Sequence, residues 1–138
     1  MNVNELFEKR LLIKIPCDKE KSLKSLETSK KHLNQAKEIK SLMYNDMIIL
    51  ACYTSMFHAA RALLYKDGIQ EKSHYAVYIY LKENYSEALG DLIFEFNAAR
   101  EQRQEGLYGL EYQFNEEDYE HIFLAAKRFY KKINELLH

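Results

Sequence analysis

Between Ser41 and Lys66 the chain runs without a proline or glycine, and Gly68, a residue suited to capping a helix C-terminus, follows almost at once. At about 1.5 Å per residue, a helix over this segment is roughly 40 Å long. Met43, Met47, Ile48, Leu50, Ala51, Cys52, Phe57, Ala60, Leu63 and Leu64 cover more than one stripe of its surface. A helix that is apolar on several sides must be contacted on several sides, so this segment is expected at the centre of a bundle. Its longest unbroken apolar run, Met47 to Tyr53, falls far short of the roughly 20 residues of a bilayer span.

The neighbours follow from periodicity. After Pro16, Leu23, Leu26, Leu33 and Ala36 recur at helical intervals with lysines between them, predicting an amphipathic helix over about 18–39. Ser73 is placed to cap a shorter helix whose face is His74, Val77, Tyr78, Leu81 and Tyr85. A fourth helix, about 87–105, carries Leu89, Leu92, Ile93 and Phe96. The last, about 116–137, opens on Asn115 and the acids Glu116, Glu117 and Asp118, which complement its dipole, and buries Ile122, Ala126, Phe129, Ile133, Leu136 and Leu137. The expected fold is all-α, an antiparallel up-and-down bundle of four or five helices, formed by residues 1–138 as one domain.

Composition limits what such a bundle does. The formal charge of -1 excludes the broad basic surface that grips duplex DNA, so any nucleic-acid contact is local. Cys17 and Cys52 are far apart, with no second pair, and read as reduced thiols. The N-terminus lacks the apolar stretch of a signal peptide, and with no membrane span in sight the expected location is the cytoplasm.

The stretch AAREQRQEGLYG, residues 98–109, carries the chemistry. At about 100 degrees per residue, Arg103 projects close to the direction of Phe96 and Leu92, and Arg100 close to that of Ile93, so both arginines continue the apolar stripe. A guanidinium there must be paired, bonded or open to a cleft. Either the stems cover apolar surface while the heads reach water or pair with Glu95, Glu101 or Asp46, or the two form a phosphate-binding pair. Gly106 and Gly109, flanking Tyr108, permit a turn and a close approach.

The string NDMIILACYTSMFHAARALLYKDGIQEKSHYAVYIYL, followed by AAREQRQEGLYG, resembles the HEPN superfamily, and within it the small stand-alone prokaryotic proteins. The resemblance extends over about residues 20–135 and is carried by Tyr53 to Leu64, by Gly68 and Ser73-His74, and by the arginine segment. It implies a helical bundle that forms homodimers and is often encoded beside a minimal nucleotidyltransferase in a toxin–antitoxin pair. Many such proteins are metal-independent ribonucleases, with an arginine followed within two turns by a histidine. Arg103 matches that arginine, with Gln104 beside it and Arg100 one turn earlier. Where the histidine is expected stands Tyr108, a poor base at neutral pH. The resemblance also implies that a partner nucleotidyltransferase can adenylylate a tyrosine near the motif, here Tyr108 or Tyr112.

Of the histidines, His58 lies three residues before Arg61 and is either a supporting group or a packed core residue. His74, at a helix start, reads first as a capping or packing residue. Asp46 is either an ion-pair partner of the arginines or a solvated acid in a first turn. Tyr44, Tyr53, Tyr108 and Tyr112 are candidates for stacking on bases. Two functions follow: a toxin-like endoribonuclease acting through Arg103, Arg100 and Tyr108, with Asp46, His58 and Gln104 in support, or a non-catalytic module binding a nucleotide or a nucleotidyltransferase. No cofactor or metal is expected. The carboxylate-x-x-histidine pairs Glu71/His74 and Asp118/His121 fall at helix starts, whereas di-metal ligands project from mid-helix.

Overall fold

The computed structural model describes residues 1–42, 46–108 and 114–138, with only the backbone described for residue 46 and residues 105–108. Among the described residues the order is α1 (Val3–Glu8), β1 (Leu12–Lys14), α2 (Lys19–Ser41), α3 (Asp46–Lys66), β2 (Ile69–Glu71), α4 (His74–Asn84), α5 (Ser86–Leu89), α6 (Leu92–Tyr108) and α7 (Glu116–Leu137). The all-helical bundle expected from periodicity is present, with α3 packed against α2, α4, α6 and α7. Met47–Lys66 is long and apolar enough to cross a bilayer, yet 72% of that stretch is buried within the protein, as a core helix would be.

The packing of α2 on α3 departs from the leucine stripe in an instructive way. Ser22, Ser25 and Ser29 are buried along with Leu26, Leu33 and Ala36, while Leu23 sits at the margin. Their hydroxyls bond α3 carbonyls directly: Ser22 to Ala62 at 2.6 Å, Ser25 to His58 at 2.7 Å and Ser29 to Ser55 at 2.7 Å, with Ser55 returning a bond to the Ser29 carbonyl at 2.9 Å. As residue numbers rise on α2 they fall on α3, so the two run antiparallel. Small side chains facing Ser55, Ala59 and Ala62 let the backbones approach, and the close approach brings each hydroxyl within reach of a carbonyl.

Short elements that periodicity missed set the entry to α4. β1 pairs antiparallel with β2, with Leu12 opposite Glu71 and Lys14 opposite Ile69. Gly68 turns the chain between α3 and β2 at φ +78°; a Cβ there would stand 2.6 Å from the Ile15 carbonyl oxygen. Ser73 then caps α4, accepting from the Ala76 amide at 3.3 Å. The expected fourth helix is broken: α5 ends at Gly90, φ +53°, and α6 starts afresh. Asn115 and Asp118 close α7 with reciprocal bonds of 2.9 Å. Phe96 stacks on Phe129 at 5.5 Å and tilts against Tyr53 at 5.7 Å, joining α6, α7 and α3 in the core.

Replacing Ser29 by valine is expected to cost about 1–3 kcal/mol through overpacking of this seam, whereas Ser29→Ala costs about 1 kcal/mol. Urea denaturation of the two variants checks the order.

Candidate functional site

α3, α4 and α6 bring together residues that are far apart in the chain. On α3, Tyr53, Phe57 and Arg61 are spaced four apart and share one face. That face receives the first residue of α4. The Tyr53 hydroxyl lies 2.7 Å from His74 Nδ1, and the His74 ring stacks on Phe57 with centroids 4.0 Å apart and planes within 5°. From α6, the Arg103 guanidinium lies over the Tyr53 ring at 5.7 Å and that of Arg100 over Tyr75 at 5.4 Å. Arg61 lies 5.7 Å from the Phe57 centroid and 5.1 Å from that of Tyr65. The sequence left open whether the two α6 arginines pair with acids or present themselves to a ligand. Glu95 is instead taken by His121 at 2.7 Å, and Glu101 accepts from Asn97 at 3.3 Å. Among the described residues no carboxylate pairs with Arg100 or Arg103.

Each guanidinium is held by other means. Arg100 donates through Nε and Nη2 to Asn97 Oδ1 at 3.1 and 3.0 Å, which engages two of its five donors. Arg61 has its Nε 2.9 Å from Glu71 Oε1, an ion pair in which the N–H is not aimed at the oxygen, and it donates to the Tyr65 hydroxyl through Nη2. Three guanidiniums therefore surround His74 with one paired carboxylate among them.

The electrostatics follow from that count. Desolvation lowers the His74 pKa from its ordinary 6.5, and Arg103, Arg100 and Arg61 lower it further, so the imidazole is neutral at pH 7. The residue as a whole is exposed although its ring is partly covered by Phe57 and Tyr53. Burial pushes the Tyr53 phenol upward against the pull of Arg100 and Arg103, so it remains protonated. If His74 carries its proton on Nδ1 and donates it to Tyr53 Oη, Nε2 keeps a lone pair.

The remaining sequence candidates are distributed as follows. His58 faces the other side of α3, stacked on His32 of α2 at 5.6 Å. Burial, then Arg61 and His32, lower its pKa to about 4. Gln104 is exposed. Tyr44, Gly109 and Tyr112 lie outside the described residues, and the side chains of Asp46 and Tyr108 are likewise not described. His74, read from the sequence as a capping or packing residue, does pack on Phe57, and what the sequence did not show is its closeness to the α6 arginines. Its pairing with Arg103 depends on how α4 docks against α6, and the available signal was only its place in the resemblance beside Ser73. Among the described residues no three His, Cys, Asp or Glu side chains gather for a metal ion. Asp118 caps α7, and burial raises the Cys52 thiol to about 12. Two surface cavities, about 320 and 430 Å³, lie between α2 and α7 and include none of the arginine-cluster residues.

The family model for the HEPN domain matches residues 22–136, nearly the whole chain, and the protein belongs to that family. Comparison with curated proteins gives no match.

Removing a cationic neighbour lets the His74 pKa rise, so Arg103→Ala should move its NMR titration upward toward 6.5, with Arg100→Ala doing the same to a smaller degree. For His58 the folded value of about 4 lies below the ordinary 6.5, so its contribution to stability is present above pH 6.5 and lost progressively as the pH falls toward 4. Denaturant midpoints measured across that range should fall less steeply in His58→Gln.

Proposed function

We propose that this HEPN protein is a toxin-like, metal-independent endoribonuclease in which Arg103 and Arg100 hold the scissile phosphate and His74 supplies the base. The observation that supports the reading is the convergence of three guanidiniums on one exposed, neutral imidazole. In this reaction His74 Nε2 takes the proton of the ribose 2′-hydroxyl, whose oxygen attacks the adjacent phosphorus. Charge building on the phosphoryl oxygens meets the arginines; the P–O5′ bond breaks and the 5′-oxygen takes a proton from water while His74 releases its own to solvent, giving a 2′,3′-cyclic phosphate and a 5′-hydroxyl end. His74 thus takes the part assigned in the family to a histidine on the arginine's own helix. Tyr53 fixes the ring through Nδ1, and the reaction uses the tautomer in which His74 donates from Nδ1 and leaves Nε2 unprotonated. Assembly as a homodimer is part of this reading, carried by the family. A minimal nucleotidyltransferase is the expected antitoxin-like partner.

A second reading keeps the phosphate site without the chemistry, as a module that binds a nucleotide. It is favoured by Tyr108 standing where the family histidine is expected.

Incubation of the purified protein with single-stranded RNA in EDTA separates the two. Cleavage leaving cyclic phosphate ends, reduced about 100-fold or more by Arg103→Ala and by His74→Ala, is expected. Nucleotide binding without any cleavage supports the second reading. Cleavage that survives in His74→Ala removes the first as stated.

A further inference from the structure

Tyr75, Tyr78 and Lys82 recur on α4 at the spacing of a single helical face that begins next to His74. The inner face of the helix is filled by Ala76, Val77, Ile79, Tyr80 and Leu81, all buried, so the fold places its apolar weight there. Tyr75 is left 39% exposed, while Tyr78 is half-buried with part of its side chain against the core; the two ring centroids lie 6.1 Å apart, with the planes tilted by 54°. Each ring has a cation against it: Arg100 at 5.4 Å from Tyr75 and Lys82 at 6.0 Å from Tyr78. Glu83, the residue after Lys82, is engaged by the Val3 amide at 2.7 Å.

We infer that this face of α4 is a track for single-stranded RNA leading away from His74, with Tyr75 and Tyr78 as base-stacking platforms and Arg100 and Lys82 holding the flanking phosphates. Aromatic rings interleaved with cations are what an unpaired strand needs, since every base offers a π-face and every link a negative charge. Seven residues of helix span about 10 Å, room for two or three stacked bases at about 3.4 Å each. A duplex hides its base faces, and this chain lacks the broad positive surface a duplex calls for. Arg100 serves both regions, since Asn97 fixes it between the phosphate site and the Tyr75 ring. The identity of the ligand rests on the cleavage reading above, but the stacking does not require cleavage.

The test uses the full chain and a short fluorescein-labelled 2′-O-methyl RNA, which cannot be cut, beside the same backbone carrying abasic sites. Fluorescence anisotropy is expected to show about tenfold weaker binding of the abasic strand by the wild type. Tyr75→Ala should weaken the base-bearing strand about tenfold and leave the abasic strand within about twofold, with Tyr75→Phe near wild type. Lys82→Ala should weaken both strands and make binding less salt-dependent. Equal affinity of the wild type for the two strands, or an equal loss on both in Tyr75→Ala, overturns the track. Base-dependent binding with no cutting of unmodified RNA defeats the cleavage reading alone. Cutting by Tyr75→Ala with wild-type binding defeats the track alone.

Discussion

The whole arrangement depends on α3 being packed on several faces at once. One side accepts the α2 serines, whose hydroxyls reach its carbonyls; another presents Tyr53, Phe57 and Arg61. Neither side can shift without moving the other, because a rotation of α3 that relieved one contact would carry the aromatic face away from α4 and α6. The rings on that face seat the charges: Tyr53 lies beneath Arg103 and bonds His74, and Phe57 stacks on the same imidazole and lies against Arg61. A hydrophobic core thus ends in a layer of aromatic rings, and the polar chemistry is built on that layer.

Placing three like charges close together is unfavourable unless something offsets it. Glu71 offsets Arg61, and it is delivered by β2, whose register against β1 fixes where that carboxylate falls. Arg100 is steadied by a neutral amide and Arg103 lies on a phenol ring, so both keep their charge without pairing to an acid among the described residues. Cation–π contact holds a guanidinium in place while leaving its in-plane donors available, which an ion pair would not. The leftover positive field adds to the desolvation that depresses His74, and it is what an anionic ligand would neutralise.

Much of this was legible in the sequence where the signal is local. The central place of α3 followed from apolar residues on several stripes, the cap of α4 from Ser73, the start of α7 from Asn115 and the acids after it, and the inward direction of Arg100 and Arg103 from the angle between successive residues. The serine seam was not legible, because serine reads as polar until the helices are close enough for its hydroxyl to find a carbonyl across the gap. α1, β1 and β2 are too short to carry a period. The break at Gly90 was overlooked because one glycine between two apolar stretches leaves the periodic count almost unchanged. The neighbours of His74 were not legible for a different reason: a residue at the first position of a helix is normally explained by the cap beside it, and only the docking of α4 shows that Ser73 caps while His74 packs on Phe57 and bonds Tyr53.

That docking also changes what kind of site this is. An arginine and histidine on one helix keep their spacing whenever that helix forms. Arg103 and His74 stand on different helices, joined through Tyr53 on a third. Their distance is therefore a property of tertiary packing, and the site exists only while α3, α4 and α6 are docked together. The hinge points are identifiable: Gly68 and the β1–β2 pair determine how α4 leaves α3, and Gly90 determines how α6 follows α5. A chain that uses its own core as the ruler between guanidinium and imidazole gives up local robustness. In exchange it gains a site whose geometry, and whose depressed histidine, report directly on whether the bundle is closed.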